Sequence, residues 1–184
     1  MDDIVLQAMI KWPNVPSCYG WLGLDGRGNW YMRDDSAQAA GSFASGIAAA
    51  KGSRLQHTKL IEFIQRNYAA DADGQWYFQN GPQRVYVELE ATPWIWRVAD
   101  DFSITAHDGR HVTWQQCWMD ERGWLYCSTN LGLGLVHTQD VGIAADAIEK
   151  GLWTVADINT AQLTQRYAYV SSPLQAQATK KPVQ

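Results

Sequence analysis

The sequence has no run of basic residues and no apolar stretch near the roughly 20 residues that a membrane-spanning helix needs. Its 15 Lys and Arg are dispersed and the net charge is −4, so neither nucleic acid nor a membrane is an expected partner. The opening residues, MDDIVLQAMIKW, carry two acids and no basic segment ahead of an apolar one, which sets a cytoplasmic location as the expectation. Cysteine is scarce: Cys18, Cys117 and Cys127 form neither an even set nor a CxxC pair, and they read as reduced thiols. Cys117 and Cys127 flank one predicted turn and are candidate cross-strand neighbours. A Gly-x-Ser-x-Gly elbow is missing, and Leu131 to Leu135 contains Gly-x-Gly without a third glycine or a Lys-Ser/Thr partner. Covalent catalysis and phosphate-loop chemistry therefore have no support, and no cofactor is expected.

Tryptophan is abundant instead: ten Trp stand beside eight Tyr and four Phe in 184 residues, a composition that favours strands. Hydrophobic residues make up 46% and charged residues 18%, enough apolar surface for one packed core. The predicted class is α+β, with antiparallel hairpins in a twisted sheet and two to three helices packed on it. One domain is expected over 1–170, with an Ala/Gly/Ser-rich loop insertion at 34–53 and a flexible polar tail at 171–184.

Helices are predicted over 2–11, stopped by Pro13, over 54–68, opened by a capping-box pattern at Ser53 to Gln56, and over 141–150, capped by Asp140. In the first, Ile4, Val5, Ala8 and Met9 fall near one face. Hairpin signals run through Tyr19 to Met32 and then from residue 74 to 137, where Val85, Val87 and Leu89 share one strand face. Asp108-Gly109 marks one of these turns. Tyr167 to Val170 reads as an edge strand.

One pattern repeats: Asp-x-x-Gly-x-(Trp or Leu)-Tyr at Asp25 to Tyr31, Asp71 to Tyr77 and Asp120 to Tyr126. Asp accepts backbone N–H groups at a turn and the following Gly takes the positive φ of the returning strand, so turn chemistry explains the motif. The oxygen ladder of a calcium loop is missing.

The blocks Lys11-Trp-Pro-Asn-Val-Pro16, Tyr19-Gly-Trp-Leu22, Arg66-Asn-Tyr68, Gln79-Asn-Gly-Pro-Gln-Arg-Val-Tyr86 and Leu133 to Asp140 resemble an uncharacterised proteobacterial family over roughly residues 1–173. That resemblance implies a bacterial cytoplasmic protein and carries over no catalytic residue.

His107 and His111 have HxxxH spacing, but the turn between them puts them on opposing strands, so no metal site is expected. His137 with Asp140 is the one candidate acid/base pair, the carboxylate fixing the imidazole of a small hydrolase or isomerase. The leading reading is a non-enzymatic binding module. Trp94 and Trp96 share one face of a strand, and Asn80, Gln83 and Arg84 gather polar groups around a tight turn. If exposed, these would capture a small molecule or a peptide. Self-association as a homodimer through an edge strand is a third possibility.

Overall fold

The computed structural model describes residues 1–180. These form two compact units, each with its own sheet, where the sequence suggests one domain. The class is α+β.

The first unit takes in Met1–Asp25, Asn29–Glu90 and the chain from Tyr169 onward. It begins with α1 (Asp3–Lys11), followed by β1 (Cys18–Leu24), β2 (Trp30–Met32), α2 (Asp35–Ala40), α3 (Ala48–Lys51) and β3 (Ser53–Arg54). Next come α4 (Thr58–Arg66), β4 (Tyr68–Ala70), β5 (Trp76–Asn80) and β6 (Gln83–Leu89). The sheet order is β3-β2-β1-β6-β5-β4, antiparallel except where β1 runs parallel to β6.

The second unit, Gly26–Gly28 with Ala91–Ala168, carries β7 (Trp94–Val98), β8 (Ile104–Ala106), β9 (His111–Val112) and β10 (Trp114–Met119). It continues with β11 (Leu125–Thr129), β12 (Gly132–Val136), α5 (Val141–Glu149), β13 (Val155–Asp157) and α6 (Thr160–Arg166). Its sheet order is β13-β10-β11-β12-β7-β8-β9. The chain then returns to the first unit as α7 (Pro173–Lys180).

Apart from β13, the two sheets repeat one topology: two three-stranded meanders joined by a parallel pair of their first and last strands. The registers agree in detail. Leu24 faces Trp30 and Leu22 faces Met32 in one, as Val98 faces Ile104 and Trp96 faces Ala106 in the other. Both hairpins close through the same bond, Asp25 N to Asn29 O and Ala99 N to Ser103 O, each 3.0 Å.

The repeated Asp-x-x-Gly turns are built as turn chemistry predicts. Asp25, Asp71 and Asp120 each accept from the backbone N–H four residues on, that of Asn29, Gln75 and Trp124. Gly28, Gly74 and Gly123 hold φ of 79°, 77° and 77°, a region that only glycine enters without strain. Asp71 and Asp120 occupy corresponding hairpins, β4–β5 and β10–β11.

Several expectations need correcting. The 34–53 segment is not a loop insertion: it folds into α2, α3 and β3, with Phe43 and Ala50 buried. Its organiser is Arg33, 1% exposed, whose guanidinium donates to the carbonyls of Gly20, Ala37, Gly41 and Ala50. Small residues let the backbone wrap this cation closely. Ser53 and Arg54 pair with β2, so the predicted capping box does not exist, and α4 is capped by His57 Nδ1 accepting from Leu60 N at 3.2 Å.

Ile4 of α1 is 72% exposed, leaving Val5 as the buried residue of that helix. Of the predicted tail, residues 171–180 are ordered as a turn and α7, and the remainder lies outside the described residues. The predicted edge strand at Tyr167 to Val170 reduces to a single bridge between Val170 and Gln75. Cys117 and Cys127 face each other across β10 and β11 and are joined as a disulfide, where reduced thiols are expected. Among the described residues, no helix is long and apolar enough to cross a membrane.

Candidate functional site

The β5–β6 hairpin turns through Gly81 and Pro82, which places Asn80 opposite Gln83, Gln79 opposite Arg84 and Tyr77 opposite Tyr86. Directly opposed residues project from the same face with Cβ atoms about 4.5–5.5 Å apart, so Gln79 and Arg84 form one polar pair. The end of α1 and the irregular segment after it border this pair. Together they border an open cavity of about 390 Å³ lined by Met9, Trp12, Pro13, Val15, Ser17, Gln79, Pro82 and Arg84.

Beneath Arg84 lies a tyrosine cluster. Its guanidinium sits 4.6 Å from the Tyr77 ring centre, Tyr77 meets Tyr86 edge to face, and Tyr86 stacks on Tyr19 at 4.5 Å. The Tyr86 hydroxyl donates to Asp71 Oδ2 at 2.9 Å. Burial and that bond push the Tyr86 phenol up to about 12, so it stays a donor at any ordinary pH. Burial alone would lower the Arg84 pKa, but the Tyr86 hydroxyl and the nearby Asp71 field outweigh it and hold the guanidinium charged. Among the described residues no carboxylate forms an ion pair with Arg84.

Gln79 is 1% exposed. Its Nε2 donates to Gly81 O at 2.9 Å, whereas its Oε1 is buried with no donor. A buried acceptor left unmatched costs about 1–3 kcal/mol, a cost that falls on the β5–β6 hairpin. Trp12, half exposed, stands at the rim with Lys11 Nζ 4.5 Å from its ring centre.

Of the residues singled out from sequence, Arg84 lies in this cavity. Gln83 and Asn80 flank it: Gln83 Nε2 donates to Pro16 O at 3.0 Å, tying the segment after α1 to the hairpin, and Asn80 is exposed at the turn. Trp94 and Trp96 do not form an exposed face. They are 3% and 0% exposed in the interior of the second sheet, and their indoles donate to Leu131 O and Cys127 O. The Trp96 ring lies against Gly134, where any side chain would clash with it, which explains the glycine at that position.

Asp140 sits at the start of α5 without capping it. Its carboxylate accepts from Arg97 Nε at 2.6 Å, Arg97 Nη2 at 3.1 Å and Val98 N at 3.1 Å. Burial would raise its pKa, but Arg97 and the Val98 N–H overcome this and lower it. His137 Nδ1 accepts from Gln139 N at 3.2 Å. The Asp140 carboxylate thus ties Arg97 and the β7 backbone to the start of α5.

Gln79, Trp12 and Met9 were not singled out from sequence. The Gln79 signal was available, since a two-residue Gly-Pro turn sets it opposite Arg84. Trp12 and Met9 join the site only through the way α1 docks.

In the second unit, Met119, Asp120, Glu121, Asp157, Ile158 and Asn159 line a smaller hollow of about 200 Å³. Two of its three carboxylates are engaged internally: Asp120 accepts from Arg122, Tyr126 and Thr160, and Glu121 from Thr160 N.

No curated protein matches the chain. Among solved structures, the crystal structure of a DUF1285 family protein from Silicibacter pomeroyi DSS-3 is similar, with a TM-score of 0.45 and 13% identity, covering 79% of this chain and 84% of that one. The family described as protein of unknown function (DUF2946) matches residues 1–182. That match spans both units and all the blocks that set the sequence expectation of an uncharacterised family, and the chain belongs to this family.

Proposed function

We propose that the protein is a non-enzymatic binding module whose ligand site is the cavity between the end of α1 and the β5–β6 hairpin. One observation carries this reading: Arg84, which forms no ion pair with a carboxylate among the described residues, lines the same cavity as the apolar Met9, Trp12, Pro13, Val15 and Pro82. A mixed cavity with a few convergent polar groups is the usual form of a small-molecule or short-peptide site. Trp12 takes the part that the sequence assigns to Trp94 and Trp96. A bacterial cytoplasmic setting is included in the reading and rests on the blocks that resemble a proteobacterial family.

The test is a thermal-shift screen of metabolites and short peptides on the native protein and on Arg84→Gln. At a hundredfold excess over Kd a ligand adds about 2.7 kcal/mol, or roughly 5–10 °C for a chain of this size. Hits on the native protein are expected to lose most of that shift in Arg84→Gln. Hits that shift both proteins equally would place the binding site elsewhere.

A further inference from the structure

We infer that the outer face of α1 is an interface with a second copy of this chain, two α1 helices packing antiparallel across a twofold axis at Gln7. The inference goes beyond the cavity and does not depend on a ligand.

The helix buries little of its own apolar surface. Of its apolar residues Ile4, Val5, Leu6, Ala8, Met9 and Ile10, Val5 alone is buried. Ile10 is 82% exposed and Ile4 72%, the two highest values among large hydrophobic side chains of the described residues, and Leu6 is exposed as well. The start of the helix is moored: the Asp2 carboxylate pairs with Arg66, and the Asp2 N–H donates to Asn67 Oδ1 at 2.8 Å. That anchorage fixes which face of α1 looks outward.

The order of residues on that face selects the occupant. Asp3-Ile4-Val5-Leu6-Gln7-Ala8-Met9-Ile10-Lys11 is close to a palindrome in apolar character about Gln7, with opposite charges at its two ends. Asp3, Gln7 and Ile10 follow at i, i+4 and i+7, and Ile4, Gln7 and Lys11 at i, i+3 and i+7, so they form two neighbouring stripes on one side of the helix. All five side chains are exposed. A twofold axis at Gln7 exchanges the stripes and brings each residue level with the one equally far from Gln7 on the other helix. Ile4 then stands beside Ile10 of the second copy and Asp3 beside Lys11 of the second copy, and each pairing is made twice.

Among the described residues neither Asp3 nor Lys11 forms an ion pair within the chain, Lys11 lying 4.5 Å from the Trp12 ring centre. Both charges suit the helix dipole, which gives no reason for two isoleucines in water at mirrored positions. A partner surface of uniform charge would be repelled at one end of α1. A second copy, reversed, matches both ends and covers the apolar residues between them.

Sedimentation equilibrium of the full chain at low ionic strength, from about 5 to 500 μM, reads the association, since one pair of short helices makes a contact at the weak end of specific interfaces. A monomer–dimer equilibrium is expected within that range. Ile10→Gln removes an apolar side chain from both sides of the contact and should weaken the dimer at least tenfold, with an unchanged circular dichroism spectrum. Asp3→Lys and Lys11→Asp each set like charges together twice, and each should weaken it about five- to tenfold. Mixed in equal amounts, these two variants form a heterodimer with opposite charges at both ends, and association should return to within about threefold of native. Mixing repairs neither a weakened helix nor a lost dipole contact, so recovery reports the antiparallel pairing.

A chain that stays monomeric up to about 500 μM would overturn the inference, and binding of that monomer to phosphatidylcholine vesicles would assign the face to a membrane surface instead. A dimer that Ile10→Gln leaves intact would place self-association on another surface, and a mixture that associates no better than either variant alone would contradict the antiparallel pairing. Either of these results also overturns it.

Discussion

Asp120 shows how much one turn residue can hold. Its side chain is fully enclosed, and it accepts from Trp124 N, Arg122 N, the Arg122 guanidinium, the Tyr126 hydroxyl and the Thr160 hydroxyl. Burial would raise its pKa, but these donors overrule it and lower it to about 2 from 3.8. A carboxyl depressed in the folded state stabilises above its unfolded pKa, and that stability disappears as pH falls from 3.8 toward 2. The contribution at neutral pH is about 2 kcal/mol. Asp120→Asn is expected to lower the urea-unfolding free energy at pH 7 by about that amount and to flatten the acid limb between pH 4 and 2. An unaltered acid limb would show that Asp120 does not govern it. The motif at Asp120 was legible from sequence because turn geometry is local. The fate of Asp140 was not: its place at the α5 start is a local signal, whereas its partner Arg97 comes from a strand more than forty residues earlier.

Among the elements, α7 is held at its start by one buried carboxyl group, that of Glu88. Ser172 Oγ donates to Glu88 Oε2 at 2.5 Å and Leu174 N donates to Glu88 Oε1 at 3.0 Å, while Ser172 Oγ accepts from Gln175 N at 3.3 Å. Burial raises the Glu88 pKa above 4.5, opposed by Ser172, Leu174 and the Arg33 field. With the folded value raised, its stabilising contribution is full below 4.5 and declines as pH rises through the folded value. Glu88→Gln keeps an acceptor for Leu174 and removes the buried charge, so a change within about 1 kcal/mol is expected at pH 7. Glu88→Ala strips both donors of their partner, at about 2–3 kcal/mol. Hydrogen exchange over 173–180 should then quicken in Glu88→Ala and stay near native in Glu88→Gln; equal protection in all three proteins would show that Glu88 does not hold α7. A polar, proline-bearing C-terminal sequence gives no hint of this helix, because its anchor lies on β6. The 34–53 segment was misread for a similar reason: Ala, Gly and Ser show no periodicity, and what orders them is the buried Arg33 just before them.

For the molecule as a whole, the repeated topology separates two kinds of likeness. The Asp-x-x-Gly motif sits on corresponding hairpins at Asp71 and Asp120 but on a different one, β1–β2, at Asp25. Motif matches therefore report turn chemistry, and it is the common strand order and register that report two copies of one module. Hairpins were readable from alternation and turn residues, but the division into two sheets was not, since strand order depends on parallel pairs joining strands far apart in sequence. The copies have diverged in chemistry. The hairpin that bears Gln79 and Arg84 in the first unit corresponds to Ser128 and Leu133 in the second, opposed in the same way and lacking a cation. The claim that this polar pair makes the first unit the ligand-binding copy is tested most directly by nuclear magnetic resonance mapping of a fragment panel on the full-length protein. The account predicts that the strongest binders perturb Met9, Trp12, Ser17, Gln79 and Arg84 and lose these effects in Arg84→Gln. Perturbations confined to residues 91–168, or unchanged in Arg84→Gln, would contradict it.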